Sequence, residues 1–266
     1  MSVLFRNALL ALLLSATFSG CSGLPARVPL SGQESLMVRE SFKEMAVMQG
    51  QCSSSADADI TVTLDSRFYS GTMSGYLQAM APAALKIIGV NPFGQPLVVL
   101  ISDGERFSYS LLNESVSYSG SVDSAAFQRH APAGFVPENS FYLLIGRLNP
   151  GRVLIFGESA DPAGEGVWIE LENELDRTRS LVLFDPERQL IIKYLQLDEE
   201  GQPAMEIDYS DHFPGICNLP GQITISSVEH SGSLMIRLSN WQTATPFSPD
   251  DFKFEPPPGF KRATVE

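Results

Sequence analysis

Ile60-Thr61-Val62-Thr63-Leu64-Asp65 alternates apolar and polar side chains without a break. A period of two puts Ile60, Val62 and Leu64 on one face of an extended chain and Thr61, Thr63 and Asp65 on the other. That is the pattern of an antiparallel strand with one buried and one wet face. The same period recurs downstream. Leu85 and Ile87 straddle Lys86; Phe107, Tyr109 and Leu111 alternate with serines; Val167, Ile169 and Leu171 face away from Glu170. Met205, Ile207 and Tyr209 oppose Glu206 and Asp208, Ile223 and Ile225 follow, and Leu234, Ile236 and Leu238 leave Arg237 opposite. Turn residues punctuate these runs at Asn91-Pro92-Phe93-Gly94, Asp103-Gly104, Asp185-Pro186 and Glu200-Gly201. The pattern predicts about ten or eleven strands, which must either form a sandwich or curl into a barrel.

Helical spacing appears in three places. From Glu34 to Met48, Leu36, Met37, Phe42, Met45, Val47 and Met48 recur among charges, which predicts an amphipathic helix stopped near Gly50. Short helices are expected at about Ser124 to Arg129 and from Pro137 to Leu148, the latter burying Phe141, Leu144, Ile145 and Leu148. Strands, then short helices, then more strands suggest a mainly β (α+β) protein, a curved sheet with helices over its concave side.

The N-terminus has a different character. Arg6 precedes a short apolar run from Ala8 to Leu14, and small residues lead into Cys21. A charged start, a short apolar stretch and small residues before a cut describe a secretory signal over residues 1–20. The run is shorter than the roughly 20 residues a spanning helix needs. Phe18-Ser19-Gly20-Cys21 resembles the lipobox of bacterial lipoproteins, with Phe18 where Leu is more usual. The resemblance implies a diacylglyceryl Cys21, a tether over 21–32 and one domain over 33–266. Ser22 stands where Asp would favour inner-membrane retention, which implies the outer membrane.

The formal charge of the 266-residue chain is -13, and removal of residues 1–20 takes away Arg6 and no acid. Such acidity excludes nucleic acid as a general partner and argues against adhesion to anionic headgroups. With Cys21 lipidated, Cys52 and Cys217 remain in an oxidising compartment. A bridge between them would close a long loop, worth about 5 kcal/mol in the chain-entropy model, while two free thiols are the alternative. Chemistry-bearing motifs are missing. His130, His212 and His230 share no metal-ligand spacing, Asp57 and Asp59 read as a solvated strand entrance, and Asp211-His212 reads as a turn. There is no Gly-x-Ser-x-Gly elbow, phosphate loop or His-Glu-x-x-His helix, so neither an enzyme nor a metal or cofactor site is expected.

Several runs taken in order resemble the lipoprotein-localisation superfamily, which comprises the outer-membrane receptor LolB and the periplasmic carrier LolA. They are Asn91-Pro92-Phe93-Gly94-Gln95 with the strand Leu97 to Ile101; Pro137, Phe141 to Leu144 and Gly146-Arg147; Tyr209; Leu219-Pro220; and Leu234 to Trp241. The tail from Phe252 to Gly259 is closer to the carrier's. The resemblance implies a half-open antiparallel β-barrel with short lid helices over an apolar cavity that accepts acyl chains. Burial of about 0.8 kcal/mol per methylene makes such a cavity a sufficient carrier. Its wall is expected at Leu85, Ile87, Phe107, Tyr109, Ile169 and Ile207, its lid at Phe141, Leu144 and Ile145, and a membrane-contacting loop at Ala79-Met80-Ala81-Pro82 with Met80 at the tip. The implied partners are acyl chains of lipoproteins, or another amphiphile, and a periplasmic LolA-like carrier. A scaffold that binds an envelope protein is the competing expectation.

Overall fold

The run that opens with Ile60 sits near the middle of one large sheet. In the computed structural model, which describes residues 23–66, 70–129, 136–149, 153–174, 177–215, 217–227, 232–244 and 246–266, it belongs to β2 (Ser55–Ser66). Strand β2 pairs on one side with β3 (Ser70–Met80), followed by β4 (Ala84–Val90), β5 (Pro96–Ser102), β6 (Arg106–Leu111), β7 (Val116–Ser121) and β15 (Lys261–Val265). On its other side lie β14 (Gly232–Gln242), β13 (Gln222–Ser227), β12 (Pro203–Ser210) and β11 (Leu190–Leu197). Strands β10 (Arg179–Asp185), β9 (Val167–Asn173), β8 (Val153–Ala160) and β1 (Val28–Pro29) complete that half. Among the described residues the sheet therefore has fifteen strands and is open, with β1 and β15 at its edges. Every pairing is antiparallel except β15 on β7.

Fifteen strands exceed the expected ten or eleven for identifiable reasons. Strand β10 reads Ser-Leu-Val-Leu-Phe with no alternation because both its faces are buried. Val182 and Phe184 point to the inner face, while Leu181 and Leu183 join Trp168, Leu195 and Leu197 in an outer cluster. Strands β7 and β15 are short and polar, and β1 spans two residues. None of these carries a two-residue hydrophobic period.

The first helix, α1 (Gly32–Gln49), packs on the inner face. It starts before the expected Glu34 because Ser31-Gly32-Gln33-Glu34 is a capping box. Glu34 N–H donates to Ser31 Oγ at 3.3 Å and Ser31 N–H to Glu34 Oε2 at 2.9 Å. Phe42 and Met45 are its buried residues, and the Phe42 ring meets Phe184 edge-on with centroids 5.2 Å apart. Leu36, Met37 and Val47, expected on the apolar side, are each more than three-fifths exposed. A partly buried ion pair docks the helix on β8: Arg39 Nε donates to Glu158 Oε1 at 2.5 Å and Ser35 Oγ to Glu158 Oε2 at 2.7 Å. Helix α2 (Ala125–Gln128) lays Phe127 against Phe107, with centroids 5.2 Å apart. A 3₁₀ turn at Pro137–Asn139 leads into α3 (Ser140–Leu144), which is shorter than the expected Pro137 to Leu148. The C-terminal segment crosses the outer face, where Phe252 packs with Ala84, Val99 and Ile101 before β15 joins the edge. Cys52 and Cys217 are bridged, their Cα atoms 6.0 Å apart. No helix among the described residues is long and apolar enough to cross a membrane.

Candidate functional site

Helix α3 is short because Gly146 ends it. With φ +66 at Gly146, its N–H donates to Leu143 O at 3.4 Å and Arg147 N–H reaches back to Tyr142 O at 2.8 Å. This is a Schellman stop, in which glycine takes the left-handed position at no steric cost. The carbonyl of Leu143, which takes only the long bond from Gly146 N–H, also accepts from the Tyr209 hydroxyl at 2.8 Å in the core. Burial holds that hydroxyl well above its ordinary pKa, so it stays a donor. At the other end Ser140 Oγ donates to Ala83 O at 3.2 Å and Phe141 N–H to Pro82 O at 3.3 Å. Trp241 Nε1 donates to Pro220 O at 2.9 Å. Much of the ordered set that carries the resemblance (Phe141, Gly146, Tyr209, Leu219, Pro220, Trp241) thus converges on the seating of α3.

Between α1, α3, the Cys52–Ser54 segment and β8 runs a groove of about 490 Å³. That volume lies within the roughly 300–1,000 Å³ of small-ligand sites. Phe42, Ala46, Phe141, Leu148 and Ile155 supply its apolar lining. Arg147 and Lys43 line it too, and among the described residues no Asp or Glu does. Arg147 is 5% exposed, its Nε has no hydrogen-bond partner, and no carboxylate among the described residues pairs with it. Burial lowers its pKa to about 10, with Tyr142 acting in the opposite sense. It therefore remains a cation at neutral pH.

The expected wall residues separate into three environments on the same inner face. Ile169 and Ile207 are fully buried in the main core beside Phe42 and Phe184. Leu85 and Ile87 are half-buried at its margin. Phe107 is half-buried against Phe127, and Tyr109 is 36% exposed beyond it. None of the six lines the α1–α3 groove. Of the lid residues, Phe141 does, Ile145 is buried against Ala79 and Leu219, and Leu144 is half-buried against the main core. Met80 is half-buried against the outer Phe252 cluster. The exposed apolar tip lies one hairpin later: Phe93 is 88% exposed. It is carried rigidly, because Asn91 Oδ1 accepts from Phe93 N–H at 2.9 Å and Gln95 N–H at 3.0 Å, and Gly94 turns at φ +78. The apolar side chain at a polar Asn-Pro-x-Gly turn was the available signal for it. Cys21 and the expected signal over 1–20, with His130 and His230, lie outside the described residues.

Other polar clusters are structural. Lys193 on β11 pairs with Glu206 and with Asp208, the latter at 2.9 Å, on the outer face. Asp59 accepts from Asn240 Nδ2 at 2.6 Å, and burial, with Asp59 nearby, raises the pKa of Asp57. Among the described residues no three His, Cys, Asp or Glu side chains form a group able to hold a metal ion.

No family model and no curated protein matches this chain. Solved structures do. A LolA superfamily protein from Nitrosomonas europaea superposes with a TM-score of 0.55 at 8% identity, over 80% of this chain and 97% of its own. The chain has the LolA fold. A DUF1329 family protein from Desulfovibrio piger gives 0.56 at 15% identity, over 81% of this chain and 97% of its own. A domain from Vibrio parahaemolyticus assigned to outer-membrane lipoprotein sorting gives 0.55 at 10% identity, over 84% and 97%. The LolA fold accounts for the long open sheet with α1 and α3 on one face, and at these identities the likeness is one of architecture.

Proposed function

We propose that this chain is a lipoprotein anchored through Cys21 in the outer membrane, facing the periplasm, whose domain over 33–266 binds acyl chains of lipoproteins or a related amphiphile. The observation that carries the reading is the apolar, acid-free groove on a LolA fold within an otherwise acidic protein. A soluble LolA-like carrier would deliver the cargo, and Leu85, Ile87, Phe107 and Tyr109 would extend the apolar surface for a longer chain. Phe93 would touch the bilayer, since an exposed ring on a rigid turn enters the interface at little conformational cost. The chain acts by binding, with no catalytic step.

The test is saturable binding of a fluorescent acyl probe to the full-length chain carrying Cys21→Ser, which cannot acquire an anchor of its own. Ala46→Trp fills the groove from an exposed helix position, and Ile87→Glu places a charge on the alternative wall. Loss in the first variant puts the acyl chain in the α1–α3 groove, loss in the second puts it over β4 to β6, and no binding by the parent refutes lipid carriage. Depletion that mislocalises no outer-membrane lipoprotein would remove the sorting role. A second reading, a scaffold for an envelope protein, is favoured by the buried Ile169 and Ile207 and the exposed Leu36, Met37 and Val47. Recovery of one stoichiometric partner with no bound lipid would select it.

A further inference from the structure

We propose that the α1–α3 groove selects an anionic amphiphile, its carboxylate or phosphate seated on the Arg147 guanidinium and its chain lying along Phe42, Ala46, Phe141 and Ile155. The inference rests on the lipid-binding reading and narrows it to one charge class. Four observations support it.

The first is charge segregation. The chain carries 31 acids against 18 Lys and Arg, yet among the described residues the groove is lined by Lys43 and Arg147 and by no acid. The second is the state of Arg147. A buried cation is ordinarily paired, because taking it out of water without a counter-charge is expensive. Arg147 is 5% exposed with an unpartnered Nε, and it also lines a small crevice of about 30 Å³ beside the groove, with Asn149, Asn173, Thr178 and Ser180, all neutral. The third is rigidity. The backbone of Arg147 is the final position of the Schellman stop, so the turn that ends α3 fixes the point from which its side chain departs. Lys43, by contrast, is exposed and pairs with Glu40 at 2.8 Å on the helix surface.

The fourth is the combination. A free inorganic anion gains nothing from the apolar lining, and a neutral lipid brings no charge to pair with the cation. An ionised headgroup on an alkyl chain uses both, and a planar guanidinium can donate two parallel hydrogen bonds to carboxylate or phosphate oxygens.

The experiment uses the full-length Cys21→Ser chain with dodecanoate, dodecyl phosphate, dodecanol and inorganic phosphate, each competing against a fluorescent acyl probe at pH 8. Dodecanoate and dodecyl phosphate should bind at least ~10-fold more tightly than dodecanol, equivalent to about 1.4 kcal/mol. Arg147→Met should reduce both to the dodecanol level, and Arg147→Lys should keep part of the preference. Equal binding of dodecanoate and dodecanol by the parent, unchanged in Arg147→Met, overturns the charge selection and leaves lipid binding standing. Inorganic phosphate as tight as dodecyl phosphate identifies a free-anion site and overturns the amphiphile. Failure of every alkyl compound refutes the lipid reading itself. If Arg147→Met does not fold, the acid-to-alcohol ratio of the parent and of Arg147→Lys decides the matter.

Discussion

Removing the Cys52–Cys217 bridge should lower the melting temperature by about 10–20 °C. The two cysteines are 165 residues apart in sequence, so the bridge closes most of the described chain into one loop. For a loop of that length the chain-entropy model assigns about 5 kcal/mol to the restriction of the unfolded state. In a domain of this size each kcal/mol moves the midpoint by about 2–4 °C. The assay is thermal unfolding followed by circular dichroism, comparing the parent with and without reductant against the Cys52→Ala/Cys217→Ala double variant. Agreement of the reduced parent with the double variant isolates the cross-link from the loss of two sulfurs. Cys52 also lines the groove just after α1, so hydrogen exchange over residues 46–54 should rise in the double variant before global unfolding. A midpoint within about 3 °C of the parent, under roughly 1 kcal/mol, would refute the argument that the long loop sets the bridge's contribution.

Three other outcomes are expected. Glu158 is pushed up by burial and pulled down further by bonds from Arg39 and Ser35, so its folded pKa lies below its ordinary 4.5. Its contribution is therefore present above the unfolded value and lost as pH falls through the folded one, and the acid limb of a stability-versus-pH curve should flatten in Glu158→Gln. Tyr209→Phe leaves the buried Leu143 carbonyl with only the 3.4 Å bond from Gly146 N–H and should cost about 0.5–1.5 kcal/mol in urea unfolding, with faster exchange across α3; an unchanged midpoint would show that the Tyr209 bond adds nothing to the seating of α3. Phe93→Ser should weaken partition of the Cys21→Ser chain onto phospholipid vesicles severalfold while changing stability by less than about 0.5 kcal/mol, and equal partition would remove Phe93 from the membrane contact.

The parts of the fold that were legible are those where a single face is buried. Strands β2, β12 and β14 alternate because their outward side chains, such as Thr61, Glu206 and Arg237, meet water or polar partners. Strand β10 hides its strand character behind a continuous apolar run, since the outer cluster around Trp168 buries its second face. Strand β15 has no hydrophobic signature at all; its place comes from backbone pairing to β7, which leaves only Val265 less than exposed. The start of α1 was legible in principle, because Ser31 and Glu34 stand three apart and satisfy each other's backbone donors. Its outward face was not, because Leu36, Met37 and Val47 read as core by spacing and are exposed.

The candidate site was less legible, and the reason is chemical. Apolar periodicity identifies which residues share a face but not which part of that face is filled by the protein itself. Ile169 and Tyr109 have the same strand pattern, yet α1 covers the first with Phe42 and leaves the second open. Arg147 gave still less warning: a charged residue in the last turn of the expected Pro137 to Leu148 helix reads as a solvated end. It is nevertheless buried: the Gly146 turn fixes its backbone, and its side chain lies among the residues that line the groove and the adjoining crevice. A backbone turn can anchor a cation where the hydrophobic pattern alone would place none. No carboxylate among the described residues pairs with that cation, in a chain with a surplus of acids, and the anionic headgroup proposed above would supply its counter-charge.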